Sequence, residues 1–159
     1  MDAYGLTLLA HSWVRWVVVV LGVAVLWHRF RAWRGGDPPR LGHIDRAFIA
    51  TVDAQLLIGL LLYTWLSPLP RSAFSDVGAA MADSVLRFYM VEHLFGMLVA
   101  IAAAHVGYAR LKATVRAGDP DLNVRTPLVA QAVWLVTTLV SIPWPALSYG
   151  RPLARLLRG

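Results

Sequence analysis

Apolar residues in this chain gather into four long runs, at about 6–27, 47–66, 85–108 and 126–147, separated by short polar punctuation. About 20 apolar residues suffice for an α-helix to cross a hydrocarbon core. The pattern predicts an all-α integral membrane protein, a four-helix bundle with short loops, forming a single transmembrane domain over residues 1–159. The first run has no basic leader and no small-residue cleavage site, and it carries Arg15 within the apolar stretch, so it reads as a retained span rather than a signal peptide. Trp13 and Trp16 near one end, with Trp27 and Trp33 near the other, fit interfacial rings.

The breaks between runs carry their own signals. Segment 28–46 holds Gly35-Gly36, Pro38-Pro39 and five arginines, which makes it a polar loop. The second run includes Asp53 and Gln55 and ends at Tyr63 and Trp65, where Pro68 and Pro70 stop the helix. A short surface helix is expected near Ser75 to Met81, with Asp83 or Ser84 capping the third run. The fourth run has no charge after Arg125 and closes on Pro143-Trp144-Pro145, so it is expected to face lipid or to pack by shape alone. In the tail, 151–158, Arg151, Arg155 and Arg158 lie opposite Leu153, Leu156 and Leu157, as in a short interfacial helix.

Composition agrees with the pattern: 58% of residues are hydrophobic and only 15% charged, far from soluble averages. A net charge of +6 would suit a nucleic-acid binder, but the Lys and Arg residues flank the apolar runs, which is juxtamembrane placement. The expected partners are the lipid bilayer and other membrane subunits, with no nucleic acid. Nine basic residues lie in the first and third connections, against five in the second connection and the tail, with Arg15 in neither group. The excess of positive charge predicts both termini on the periplasmic side of a bacterial inner (cytoplasmic) membrane. Cysteine is absent, so any metal must be held by His, carboxylate or Met.

Candidate chemistry lies in the ionisable residues set inside the runs, which are costly there and need a reason. Antiparallel threading sorts them into two layers. The outer layer holds His11 and Arg15, four apart on one face of the first helix, with Glu92 and His93 on the third. One reading places a b-type haem between the first and third helices with His11 and His93 as axial ligands, since bis-imidazole ligation needs two histidines at matched depth on facing helices. Arg15 then neutralises a propionate or pairs with Glu92, and Gly96 leaves room beside the macrocycle. The other reading is an Arg15–Glu92 ion pair, with both histidines bonded to backbone or water. The inner layer holds Asp53, His105 and, at the helix end, His28. These residues pair with one another or with nearby arginines, or else serve a quinone headgroup, a proton relay or a metal.

The stretches HSWVRW, DAQLLIGLLLY, RFYMVEH and IPWP together resemble small four-helix bacterial membrane proteins of the cytochrome b-like type, over most of the chain. By position the resemblance points to His11, Arg15, Gln55, Glu92 and His93. The chain departs from the pattern at Asp53-Ala54-Gln55, where the resemblance leads to His-x-Gln. What it implies for metal ligation is therefore the pair His11 and His93. Two functions compete on these grounds: a membrane electron-transfer protein or cytochrome b-like subunit, and an accessory subunit without its own cofactor. The short loops leave no soluble domain and no nucleotide motif, which argues against an independent enzyme.

Overall fold

A computed structural model describes residues 2–36, 38, 40–117 and 124–152; of the tail 151–158, only residues 151 and 152 lie among the described residues. Helix α1 (Ala3–Trp33) starts where the Asp2 carboxylate accepts the Gly5 N–H at 2.8 Å. It stops in a Schellman motif: Gly35, at φ 78°, donates to Ala32 O, and Gly36 donates to Arg31 O. A residue with a Cβ reaches that left-handed conformation only at a cost, which is why the chain turns at a glycine. Helix α2 (His43–Leu61) opens with Asp45 reaching back to the Gly42 N–H at 3.0 Å. It runs into a π-helical turn, Leu62–Leu66, that ends before Pro68.

The link to the next long helix is itself helical: α3 (Pro68–Ser75) and α4 (Val77–Ala82), the latter capped by Asp76. Proline suits the first helical position because that N–H needs no partner. Asp83 then caps α5 (Ser84–Arg87) by accepting from Val85 and Leu86 at 2.8 Å each. A second π-helical turn, Phe88–Glu92, joins α5 to α6 (His93–Ala117) as one continuous helix. Helix α7 (Arg125–Ser141) ends before the run of apolar residues does. Ile142 precedes Pro143 and is extended, at φ −73° and ψ 132°, the conformation a following proline imposes.

Among the described residues the regular structure is all helical. Three helices, Ala3–Trp33, His43–Leu66 and Ser84–Ala117, are long and apolar enough to cross a membrane. Helix α7, at 17 residues, reaches roughly 25 Å at 1.5 Å per residue. Helix α1 packs on α2 and α7, and α6 packs on α7 and α2. Their shared core is Val18, Val25, Phe48, Val52, Ala100, Ala104 and Trp134. Trp134 meets Phe48 edge to face, with ring centres 4.8 Å apart, a contact worth about 0.5–1.5 kcal/mol beyond its area. Gly22 lets α1 approach α7 at that point, because a Cβ there would overlap the Trp134 ring. The outward faces stay apolar: Val20, Leu57, Phe95 and Val140 are each at least 67% exposed. Such surface is a liability in water and none in hydrocarbon.

Contrary to its expected packing by shape alone, α7 buries Gln131, Thr138 and Ser141. Gln131 donates to Gly22 O and accepts from Arg29, each at 3.0 Å. Arg29 itself is only 4% exposed rather than loop-borne, because α1 carries on through it to Trp33.

Candidate functional site

A cavity of about 320 Å³ opens among α1, α2, α6 and α7, bordered at one end by the chain that follows α7. His11 enters it from α1 and His93 from the first turn of α6, with ring centres 6.4 Å apart and planes at 69°. The π turn sets the position of His93. The hydrogen-bond ladder there runs from each N–H to the carbonyl five residues back, as from His93 to Phe88, and this inserts an extra residue ahead of the histidine. Glu92 is thereby left on the exposed side and His93 on the cavity side.

Each imidazole has a distinct set of partners. His93 Nδ1 lies 2.8 Å from Ser141 O. A carbonyl only accepts, so Nδ1 carries the proton and Nε2 keeps its lone pair. That is how an imidazole is fixed for metal ligation, with the outer nitrogen bonded to backbone. On α2, Gln55 donates to the His11 main-chain carbonyl at 3.0 Å, and its amide nitrogen sits 3.3 Å from His11 Nε2. His11 Nδ1, Gln55 Oε1 and Thr138 Oγ1 are buried with no hydrogen-bond partner. Each such atom costs about 1–3 kcal/mol until something meets it.

The electrostatics of the cavity are one-sided. Arg15 and Arg151 both line it, and no carboxylate is among its described lining residues. Arg15 lies over Trp16 at 5.1 Å, and Arg151 lies over the Tyr89 ring at 4.5 Å. Tyr89 in turn donates to Tyr149 O at 3.0 Å, and Phe88 stacks on Tyr149 at 3.8 Å. These contacts fasten the segment after α7 across the cavity mouth. The second tyrosine, Tyr63, donates to Met90 O at 2.9 Å and so ties the two π turns together.

The residues singled out from sequence are thus divided. His11, Arg15, Gln55 and His93 share the cavity. Glu92 pairs with Arg87 at 2.8 Å on the surface, both side chains partly exposed, and does not meet Arg15. Gly96 is not a cavity residue: its missing Cβ makes room for Ser141 on α7. The glycine beside an imidazole is Gly59, where a Cβ would sit 3.2 Å from His11 Cε1. Asp53 and His105 pair at 3.2 Å on the outside of α2 and α6, with side chains 50% and 44% exposed. His28 joins neither and lines a second cavity. Tyr63, Tyr89, Thr138 and Arg151 line the first cavity without having been singled out. Their only sequence signal was polarity near a run's end, which interfacial residues share.

Comparison with protein-family models, curated proteins and solved structures finds no match.

Proposed function

We propose that this chain is a four-helix membrane protein, a cytochrome b-like electron carrier that holds one b-type haem between α1 and α6 through His11 and His93. One observation carries the reading: two imidazoles on facing helices, 6.4 Å apart, share a cavity with two guanidinium groups and, among the described residues, no carboxylate. Among the described residues no cluster of three or more His, Asp or Glu is present to hold a bare ion. His11 and His93 would be the two residues to hold a haem, which would bring its remaining ligands itself. Its two carboxylates would also need cations, and Arg15 and Arg151 line the cavity.

When bound, the haem supplies one-electron chemistry. The chain's own residues do the rest. Ser141 O holds the His93 ring in the tautomer that leaves Nε2 available. Gln55 anchors α2 to the His11 carbonyl; ligation through His11 Nε2 requires its amide to yield the 3.3 Å contact while keeping the 3.0 Å bond. Leu8, Leu56, Met97 and Trp134 give the remaining wall an apolar lining. The resemblance to cytochrome b-like proteins supports the same pair of ligands. Quinol is the natural electron source in a bacterial inner membrane, with another membrane subunit as the acceptor.

The test is a reduced-minus-oxidised visible spectrum of the full chain, purified in detergent from cells supplied with haem. Sharp bands of a six-coordinate b-type haem are expected, absent in His11→Ala and in His93→Ala. A colourless preparation would overturn the reading, and one stable only with stoichiometric partners would point to an accessory subunit. The positive-inside count supports both termini in the periplasm, so Ser72→Cys should label from outside intact cells. Gly36→Cys should label only after permeabilisation.

A further inference from the structure

Asp53 and His105 meet on the outward side of α2 and α6, with Oδ1 3.2 Å from Nε2 and side chains 50% and 44% exposed. At 1.5 Å per residue, Asp53 is about 15 Å along its helix from His43 and about 20 Å from Leu66, and His105 is about 18 Å from Ala117. The pair therefore sits well inside both spans. Around it the surface is apolar, with Leu57 on α2 and Leu98 and Val106 on α6 all exposed. Ionisable groups at such depth face the bundle interior, a water-filled cavity or a partner, because hydrocarbon offers them no bond. This pair faces outward and lines neither described cavity.

The chemistry of the pair is polarised across the two helices. His105 Nδ1 lies 3.0 Å from Ile101 O, a carbonyl that only accepts, so Nδ1 carries a proton. One more proton between Nε2 and Oδ1 makes the pair neutral as a whole, with its acid on α2 and its base on α6. The contact leaves the second carboxyl oxygen of Asp53 unused. Small residues flank both side chains: Ala50 lies one turn from Asp53, and Ala102 and Ala109 one turn either side of His105, all exposed. Such residues let another helix come close.

An acid on one helix beside a base on the next, at one depth, is self-complementary under a two-fold axis along the membrane normal. Half a turn about that axis keeps every depth and exchanges the sides, so α2 of one copy meets α6 of the other and acid meets base. We propose that a second copy of this chain covers this face, with the two Asp53–His105 pairs meeting across the axis in one hydrogen-bonded cluster. The proposal rests on the helices crossing a membrane and is independent of the haem.

The experiment is disulfide cross-linking of the full chain in membranes, which its lack of cysteine makes clean. Tyr63 meets Met90 and Asp53 meets His105, so α2 and α6 run antiparallel, and Leu57 and Ala102 share a depth. Leu57→Cys and Ala102→Cys copies with different tags, co-expressed and oxidised with copper phenanthroline, should give a product carrying both tags. Val20→Cys with Val140→Cys, exposed on α1 and α7, should give none. Asp53→His leaves two imidazoles on the face and His105→Asp two carboxyls. Each change, made in both tagged copies, should abolish the cross-link; Asp53→His in one copy with His105→Asp in the other should restore it. Absence of the 57–102 product in the otherwise native chain, equal product from 20–140, or a cross-link that survives both charge changes would overturn the proposal. So would a different protein captured in stoichiometric amount by Leu57→Cys in place of the second copy, which would assign the face to another subunit. Haem bands from the same membranes bear on the electron-transfer reading alone.

Discussion

Gly96→Ala tests how the orientation of His93 depends on the spacing of α6 and α7. A Cβ at residue 96 would overlap Ser141 Oγ and lie 3.1 Å from Ser141 Cβ. Rotating the hydroxyl removes the first conflict; the second remains, because Ser141 is 5% exposed and its Cβ is fixed to the α7 backbone. The end of α7 must then back away by a few tenths of an ångström, and the 2.8 Å bond from His93 Nδ1 to Ser141 O lengthens with it. Overpacking costs about 1–3 kcal/mol, and weakening that bond adds about 1 kcal/mol. Replacing a helical glycine by alanine returns about 1 kcal/mol. The net loss is about 1–3 kcal/mol, which at about 2–4 °C per kcal/mol lowers the Tm by about 2–12 °C. The assay is thermal unfolding in detergent followed by circular dichroism, with the visible spectrum recorded alongside. The double variant Gly96→Ala/Ser141→Gly removes both clashing atoms and keeps the carbonyl, so it should match Ser141→Gly alone to within about 0.5 kcal/mol of additivity-corrected stability. A Gly96→Ala protein as stable as wild type, or a double variant no better than Gly96→Ala, would refute the reasoning.

Two further outcomes are expected. Gly22→Ala drives a methyl group into Trp134, which is pinned by Phe48; it should cost at least about 1–3 kcal/mol and also weaken the Gln131 to Gly22 O bond, seen as a lower Tm in the same assay. Asp53→Asn removes one partner of a half-exposed pair, an interaction worth about 0–1 kcal/mol where water reaches it, so a Tm shift of more than a few degrees would show that the pair is covered in the native assembly.

Much of the architecture was legible because it rests on local signals. Apolar run length, the Gly35-Gly36 stop, the prolines and the Asp83 cap each act within a few residues of where they appear. The site was partly legible. Matching His11 and His93 by depth needs only the rise per residue, and the structure does bring their rings to 6.4 Å. Glu92 was not placed correctly, since a uniform α-helical ladder hides the π turn that sends it to Arg87. Nor was Gly96, because a glycine in a helix does not reveal which neighbour fills its space.

What the sequence determined by itself is a helical chain whose outward surface is apolar and whose ionisable residues are few and set at particular depths. Those properties follow from composition and periodicity, which survive any arrangement of the helices. Tertiary structure alone decided the partners. It buried Arg29 on Gln131 and Pro127 O and paired it with Asp45 at 3.5 Å. It aimed His93 by the carbonyl of Ser141, 48 residues away. It also brought Arg151 from beyond α7 to the cavity that Arg15 enters from α1. The reason is physical: a hydrogen bond or ion pair is satisfied by whatever lies within about 3 Å, and across helices that distance depends on packing, not on spacing along the chain.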